Sequence, residues 1–167
     1  MNPLIQTKKT NKQATIVVGK MRSLISSLQN ANKAFKHIAG RCSDRKAQIL
    51  VFGMATELFQ SYRELSLHAQ VLRGDTDFNE TIFTGYQYDN DGLENEPPQN
   101  IDKVLEDCVY IEKGLIGEFR KLLNDHVIAG DLRKLLQEQL NGFLCAFAKI
   151  KMLNNLHVSS NNFMNIW

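Results

Sequence analysis

Carboxylates, four histidines and three cysteines are the side chains of this chain that could do chemistry, and their spacing decides what they can assemble. A carboxylate-bridged di-metal centre inside a helix bundle needs Glu from two helices and Glu-x-x-His from two others, all pointing inward. No Glu-x-x-His occurs in the sequence. The nearest approach, Glu64 and His68, has a spacing of four, which suits a surface pair along one helix. The first helical stretch offers only His37 as a ligand, and the last offers Glu138 without a central histidine. The pattern therefore predicts no catalytic residue, no metal centre and no resident cofactor. Glu112, Glu118 and Gln139 are the residues that a weaker metal site would use, because each falls at or beside an apolar stripe. Their structural reading is long side chains reaching water past apolar neighbours, or a hydrogen-bonded core pair of Gln139 with Glu112 or Glu118 that fixes helix register.

Other chemistries fail on spacing. With Gly92 as the turn glycine of a calcium loop, Asp89 and Asp91 fit, but Gln87 and Pro98 occupy the two anchoring ligand positions. Nothing pairs a cysteine or serine with a histidine and an orienting third group. There is no Gly-rich phosphate loop, and Gly114, Gly117 and Gly142 read as places of close helix approach. Asn79-Glu80-Thr81 matches a glycosylation sequon without a secretory context. Cys42, Cys108 and Cys145 are odd in number and far apart, which is neither a disulfide framework nor a CxxC pair; a reducing cytoplasm is the expected setting. The opening MNPLIQTKKTNK lacks the apolar run of a signal peptide, and no stretch is apolar enough to span a bilayer.

The elements that must position these residues follow from apolar spacing. Alternation of four and three holds one stripe toward a partner helix. It runs through Val17, Met21, Leu24, Leu28, Ala31, Phe35 and Ile38, with Gly40 as the expected stop. After Ser43 or Asp44 as a cap, it resumes through Val51, Ala55, Leu58, Tyr62, Leu65, Ala69 and Leu72, ending at Gly74. A third series, Ile101, Val104, Cys108, Ile111, Leu115 and Leu122, is interrupted by Glu118, and a parallel stripe by Glu112. The fourth, Leu132, Leu136, Phe143, Ala146, Ile150 and Leu153, is interrupted by Gln139. The sequence thus predicts an all-α four-helix bundle of two helical hairpins joined by a long acidic linker. Residues 1–13 would form a basic N-terminal arm, 14–157 the bundle with the linker 75–99 inside it, and 158–167 a loose tail, with Phe163 and Trp167 able to dock on a neighbour. At 167 residues, with 43% hydrophobic and 23% charged side chains, one globular domain is expected. The linker is long enough to reach either end, so up-down-up-down and crossover connectivities both fit.

Charge is distributed unevenly. Residues 1–46 hold ten Lys or Arg and one acid (+9), residues 47–112 three and thirteen (−10), and residues 113–167 seven and four (+3). Internal compensation between a basic first helix and an acidic linker accounts for this; the alternative is a basic face for an anionic partner. Lys8, Lys9 and Lys12, continued by Lys20 and Arg22, would give weak, salt-sensitive nucleic-acid binding at most, and no stacking aromatics accompany them.

Asn30-Ala31-Asn32-Lys33-Ala34-Phe35, the run from Ala55 to Gly74, Glu106-Asp107-Cys108 with Glu112, and Gln139 together resemble a bacterial ferritin-like four-helix-bundle family known only as a domain of unknown function. The resemblance covers about residues 15–156 without much of 75–98, and departs at Ile111, where the family often has Gly, and at Phe147, where a His is frequent. It implies a ferritin-like fold and a core stripped of its best ligand. The expected role is a non-enzymatic bundle that self-associates or binds a protein partner. The alternatives are metal binding through core carboxylates and weak nucleic-acid binding through the basic arm.

Overall fold

The structure, a computed structural model, describes residues 3–74 and 97–164, with side chains from Asn11 onward and as far as Leu156, Asn154 excepted. Four helices account for nearly all of it: α1 (Pro3–Arg41), α2 (Arg45–Arg73), α3 (Ile101–Leu123) and α4 (Gly130–Met164). The chain is an all-α four-helix bundle, and the only sheet-like pairing among the described residues is one isolated bridge between Cys42 and Gln99.

Local chemistry sets most boundaries. Asp44 caps α2, its carboxylate accepting the Ala47 N–H at 2.8 Å. Gly74 ends α2 at φ 74°, a left-handed conformation that only glycine adopts without steric cost, with its N–H bonded to the Gln70 and Val71 carbonyls. Asn100 caps α3 through the Lys103 N–H at 2.9 Å. At the α3–α4 turn the Arg133 guanidinium donates to the carbonyls of Leu123, Asp125 and Ile128 at 2.7, 3.0 and 2.8 Å, satisfying orphaned acceptors after α3.

Three expectations need correction. The segment read as a separate arm, 1–13, is helical from Pro3, a first-turn position where the missing N–H costs nothing. The tail beyond Leu156 is likewise helical as far as Met164, since it contains no Gly or Pro to stop α4. Gly40 does not end α1. The helix continues to Arg41, and the following residues turn outward to pair with the segment leading into α3. The Gln99 N–H donates to the Arg41 carbonyl at 2.7 Å, the Ser43 N–H and Oγ donate to the Gln99 carbonyl, and Arg41 Nη2 donates to the Pro97 carbonyl at 3.4 Å.

That clamp decides the connectivity. It places the start of α3 beside the α1–α2 turn, at the end of the bundle opposite Gly74. α1 packs against α2 and α3, and α4 packs against the same two helices, so α2 and α3 lie on a diagonal and run in the same direction. Of the two arrangements left open by the sequence, the crossover is the one adopted.

The core follows the four-three alternation closely. Every member of the α1 series from Val17 to Ile38 is buried, as are Val51, Ala55, Leu58, Tyr62, Leu65 and Ala69 of α2. Phe35 of α1 meets Phe147 of α4 across the diagonal at a ring-centroid distance of 5.9 Å, and Phe119 meets Phe143 at 5.5 Å. Gly114, Gly117 and Gly142 do not mediate close helix approach: a Cβ at any of them would meet nothing within 4 Å.

Leu28 and Leu136 are fully buried in this core. Leu28→Asp or Leu136→Asp is expected to abolish the cooperative thermal transition in circular dichroism, because an unpaired charge enters the seam. Leu136→Ala is expected to cost about 2–5 kcal/mol. An unshifted melt for either aspartate variant would refute the helix register.

Candidate functional site

Glu112, Gln139 and Glu118 lie at three separate seams of the bundle. Between α3 and α4, Glu112 is buried and its Oε1 accepts from Lys151 Nζ at 2.7 Å; Oε2 has no hydrogen-bond partner among the described residues. Between α2 and α4, the buried Gln139 donates from Nε2 to Glu64 Oε2 at 2.9 Å, and its Oε1 lacks a partner there. Between α1 and α3, the half-buried Glu118 accepts from Ser23 Oγ at 2.7 Å. Nearby, Lys20 bonds Asp125, and that bond, helped by the Val127 N–H, holds the Asp125 carboxyl below the usual range.

The three residues named as metal candidates are therefore not brought together. Glu112 and Glu118 stand six residues apart, about 9 Å along the axis, and address different helices: Glu112 turns to α4 and Glu118 to α1. The expected register pair of Gln139 with either glutamate does not form, because Gln139 reaches Glu64 on α2 instead. Glu64 is exposed, as its heptad position predicts, but its carboxylate turns to α4 and engages Gln139. Among the described residues no three His, Cys, Asp or Glu side chains gather in a metal-holding group. The position where the resemblance leads one to look for His is filled by Phe147, 1% exposed and tilted against Phe35 with the rings at 49°.

Asn32 is a buried polar residue that spacing alone did not single out. It is fully enclosed and donates from Nδ2 to the Ala55 carbonyl, tying α1 to α2. The signal was present: position 32 lies four residues after Leu28 and three before Phe35, inside the widened apolar face of a bundle helix.

The thiols divide by environment. Burial pushes Cys108 up to about 12, and burial likewise raises Cys42. Both shifts disfavour the thiolate, the reactive form of a cysteine. Cys145 is exposed on α4. The calcium-like stretch Asp89–Gly92 lies outside the described residues, as do the side chains of Lys8 and Lys9 and residue Trp167. Open grooves run between helices. One of about 380 Å³ lies between α1 and α2, one of about 250 Å³ between α1 and α3 beside Lys20 and Glu118, and one of about 210 Å³ between α2 and α4 beside Glu57, Glu64 and Gln139. No described helix is long and apolar enough to cross a membrane.

Lys151→Met is expected to cost about 1–2 kcal/mol in urea unfolding at pH 7, the low end for a charged hydrogen bond because Lys151 is half exposed. Adding Glu112→Leu should recover most of that loss, since removing both partners leaves no buried carboxylate unpaired. A double variant as unstable as the single one would show that Glu112 has a partner other than Lys151. For the thiols, a maleimide at pH 7 should label one equivalent rapidly, and Cys145→Ser should abolish that phase. Three rapid equivalents would show that the seams around Cys42 and Cys108 open readily.

No protein-family model matches this chain, and neither a curated protein nor a solved structure is significantly similar to it.

Proposed function

We propose that this chain is a non-enzymatic helical bundle that self-associates and acts through its surface. The observation that carries this reading is that α4 is apolar on two faces. Phe143, Phe147 and Ile150 face the core, while Leu144, Cys145, Ala148, Met152 and Leu156 face outward, with Met152 64% exposed. A helix apolar on both sides asks for cover on both sides. A second copy presenting the same stripe supplies that cover through a two-fold contact.

The scattered polar groups support the non-enzymatic part, since among the described residues each is engaged at its own seam and none converges on a reactive point. Two hairpins joined by one long crossover are the connectivity of ferritin-like bundles, which supports placing this chain among them. Three unbridged cysteines favour a reducing, cytoplasmic setting.

Light scattering after size exclusion is expected to give a mass of twice 19.0 kDa or more at high protein concentration. Met152→Glu or Leu144→Glu should return a folded monomer, since both positions are exposed. A strict monomer at all concentrations, or an assembly indifferent to both substitutions, would refute the reading.

A further inference from the structure

The outward surface of α4 carries a row of residues that is complementary to itself. Glu138, Gly142, Cys145 and Lys149 are all exposed and follow one another at spacings of four, three and four, so they share one side of the helix. The row is acidic at one end and basic at the other. Neither Glu138 nor Lys149 forms an ion pair with another described residue. Its middle is open, since a Cβ added at Gly142 would meet nothing within 4 Å. Leu144 and Ala148, both exposed, lie beside it.

A two-fold contact between copies requires that wherever residue i meets residue j, residue j also meets residue i. The row meets this condition about one point, midway between Phe143 and Leu144. An antiparallel second copy centred there sets Glu138 of each chain against Lys149 of the other, at two symmetric places. It also sets Gly142 of each against Cys145 of the other. Other placements on the same helix bring like charges together, which opposes association. A parallel pair sets Lys149 against Lys149 and Glu138 against Glu138. An antiparallel pair centred on Ile150 brings the two Lys149 positions to within about 3 Å of the same height.

We infer that two copies of this chain pack antiparallel along α4 through Glu138, Gly142, Cys145 and Lys149, with the two-fold axis between Phe143 and Leu144. The inference rests on the self-association proposed above and adds its orientation and register. Because glycine faces cysteine, the helix axes can approach to about 8 Å, the close end of helix packing. The two Cys145 positions then differ by three residues in height, about 4.5 Å. That offset brings their Cα atoms within the span of a disulfide.

Charge exchange in the full chain tests the register. In sedimentation equilibrium at low salt, Glu138→Lys alone and Lys149→Glu alone are each expected to weaken the dimer about tenfold, since each sets like charges together at two places. The double variant restores both pairs with their signs exchanged, and its dimer should return to within about threefold of the unsubstituted protein. All three variants should keep the circular-dichroism melt of the bundle, because both side chains are exposed. As a second readout, diamide, which takes one hydrogen from each of two thiols, should join two chains through Cys145. Cys145→Ser should leave only single chains on a non-reducing gel. A double variant as weak as either single one, or a self-associating protein that diamide does not join through Cys145, would overturn the register and leave self-association standing. A strict monomer at every concentration would overturn both.

Discussion

Filling the centre of the bundle is the constraint on which the rest depends. Four helices leave a channel along their common axis, and here it is closed by aromatic rings meeting across and between helices: Phe35 on Phe147, and Phe119 on Phe143. These contacts join the leucines of α1, α2 and α4 into one continuous core. The di-metal carboxylate bundles instead line that axis with carboxylates and imidazoles. The two designs compete for the same volume, and at Phe147 a ring occupies it.

The polar side chains bridge helices at separate seams instead of gathering on the axis. Glu112 with Lys151, Gln139 with Glu64, Glu118 with Ser23 and Asn32 with the Ala55 carbonyl each join a different pair of helices. A buried polar group tolerates only the register that satisfies it, so the links of Glu112, Gln139 and Asn32 restrict sliding along three of the interfaces, and the more exposed Glu118–Ser23 bond adds to the fourth. Their energetic contribution comes less from attraction than from the cost of leaving any of them unmade.

The order of the helices in space rests on a small feature outside the core. The clamp of Arg41, Ser43, Pro97 and Gln99 ties the start of α3 to the α1–α2 turn. Arg133 plays a comparable part at the other end, gathering the carbonyls that follow α3 so that α4 can reverse direction within a few residues. Both devices use arginine to satisfy main-chain oxygens, a task suited to a side chain with five donors in a fixed fork.

Most of the helical architecture was legible in the residues. The four-three alternation named the buried positions of α1 and α2 because a packed seam admits only side chains repeating at that interval, and Asp44 and Gly74 marked ends through local chemistry. α1 and α4 run past the apolar stripes that define them, because a helix continues wherever nothing interrupts it. The candidate site was legible only as a set of polar residues near the core. Which of them meet depends on the rotation and stagger of helices far apart in sequence, and a difference of one residue in stagger turns a side chain toward another neighbour. That four helices form, and which face each one buries, can be read from residue order because both are local and periodic properties. That α3 returns to the α1–α2 turn, that Gln139 finds Glu64, and that Glu112 and Glu118 look away from each other emerge on assembly. Those outcomes arise from long-range packing that no local spacing encodes.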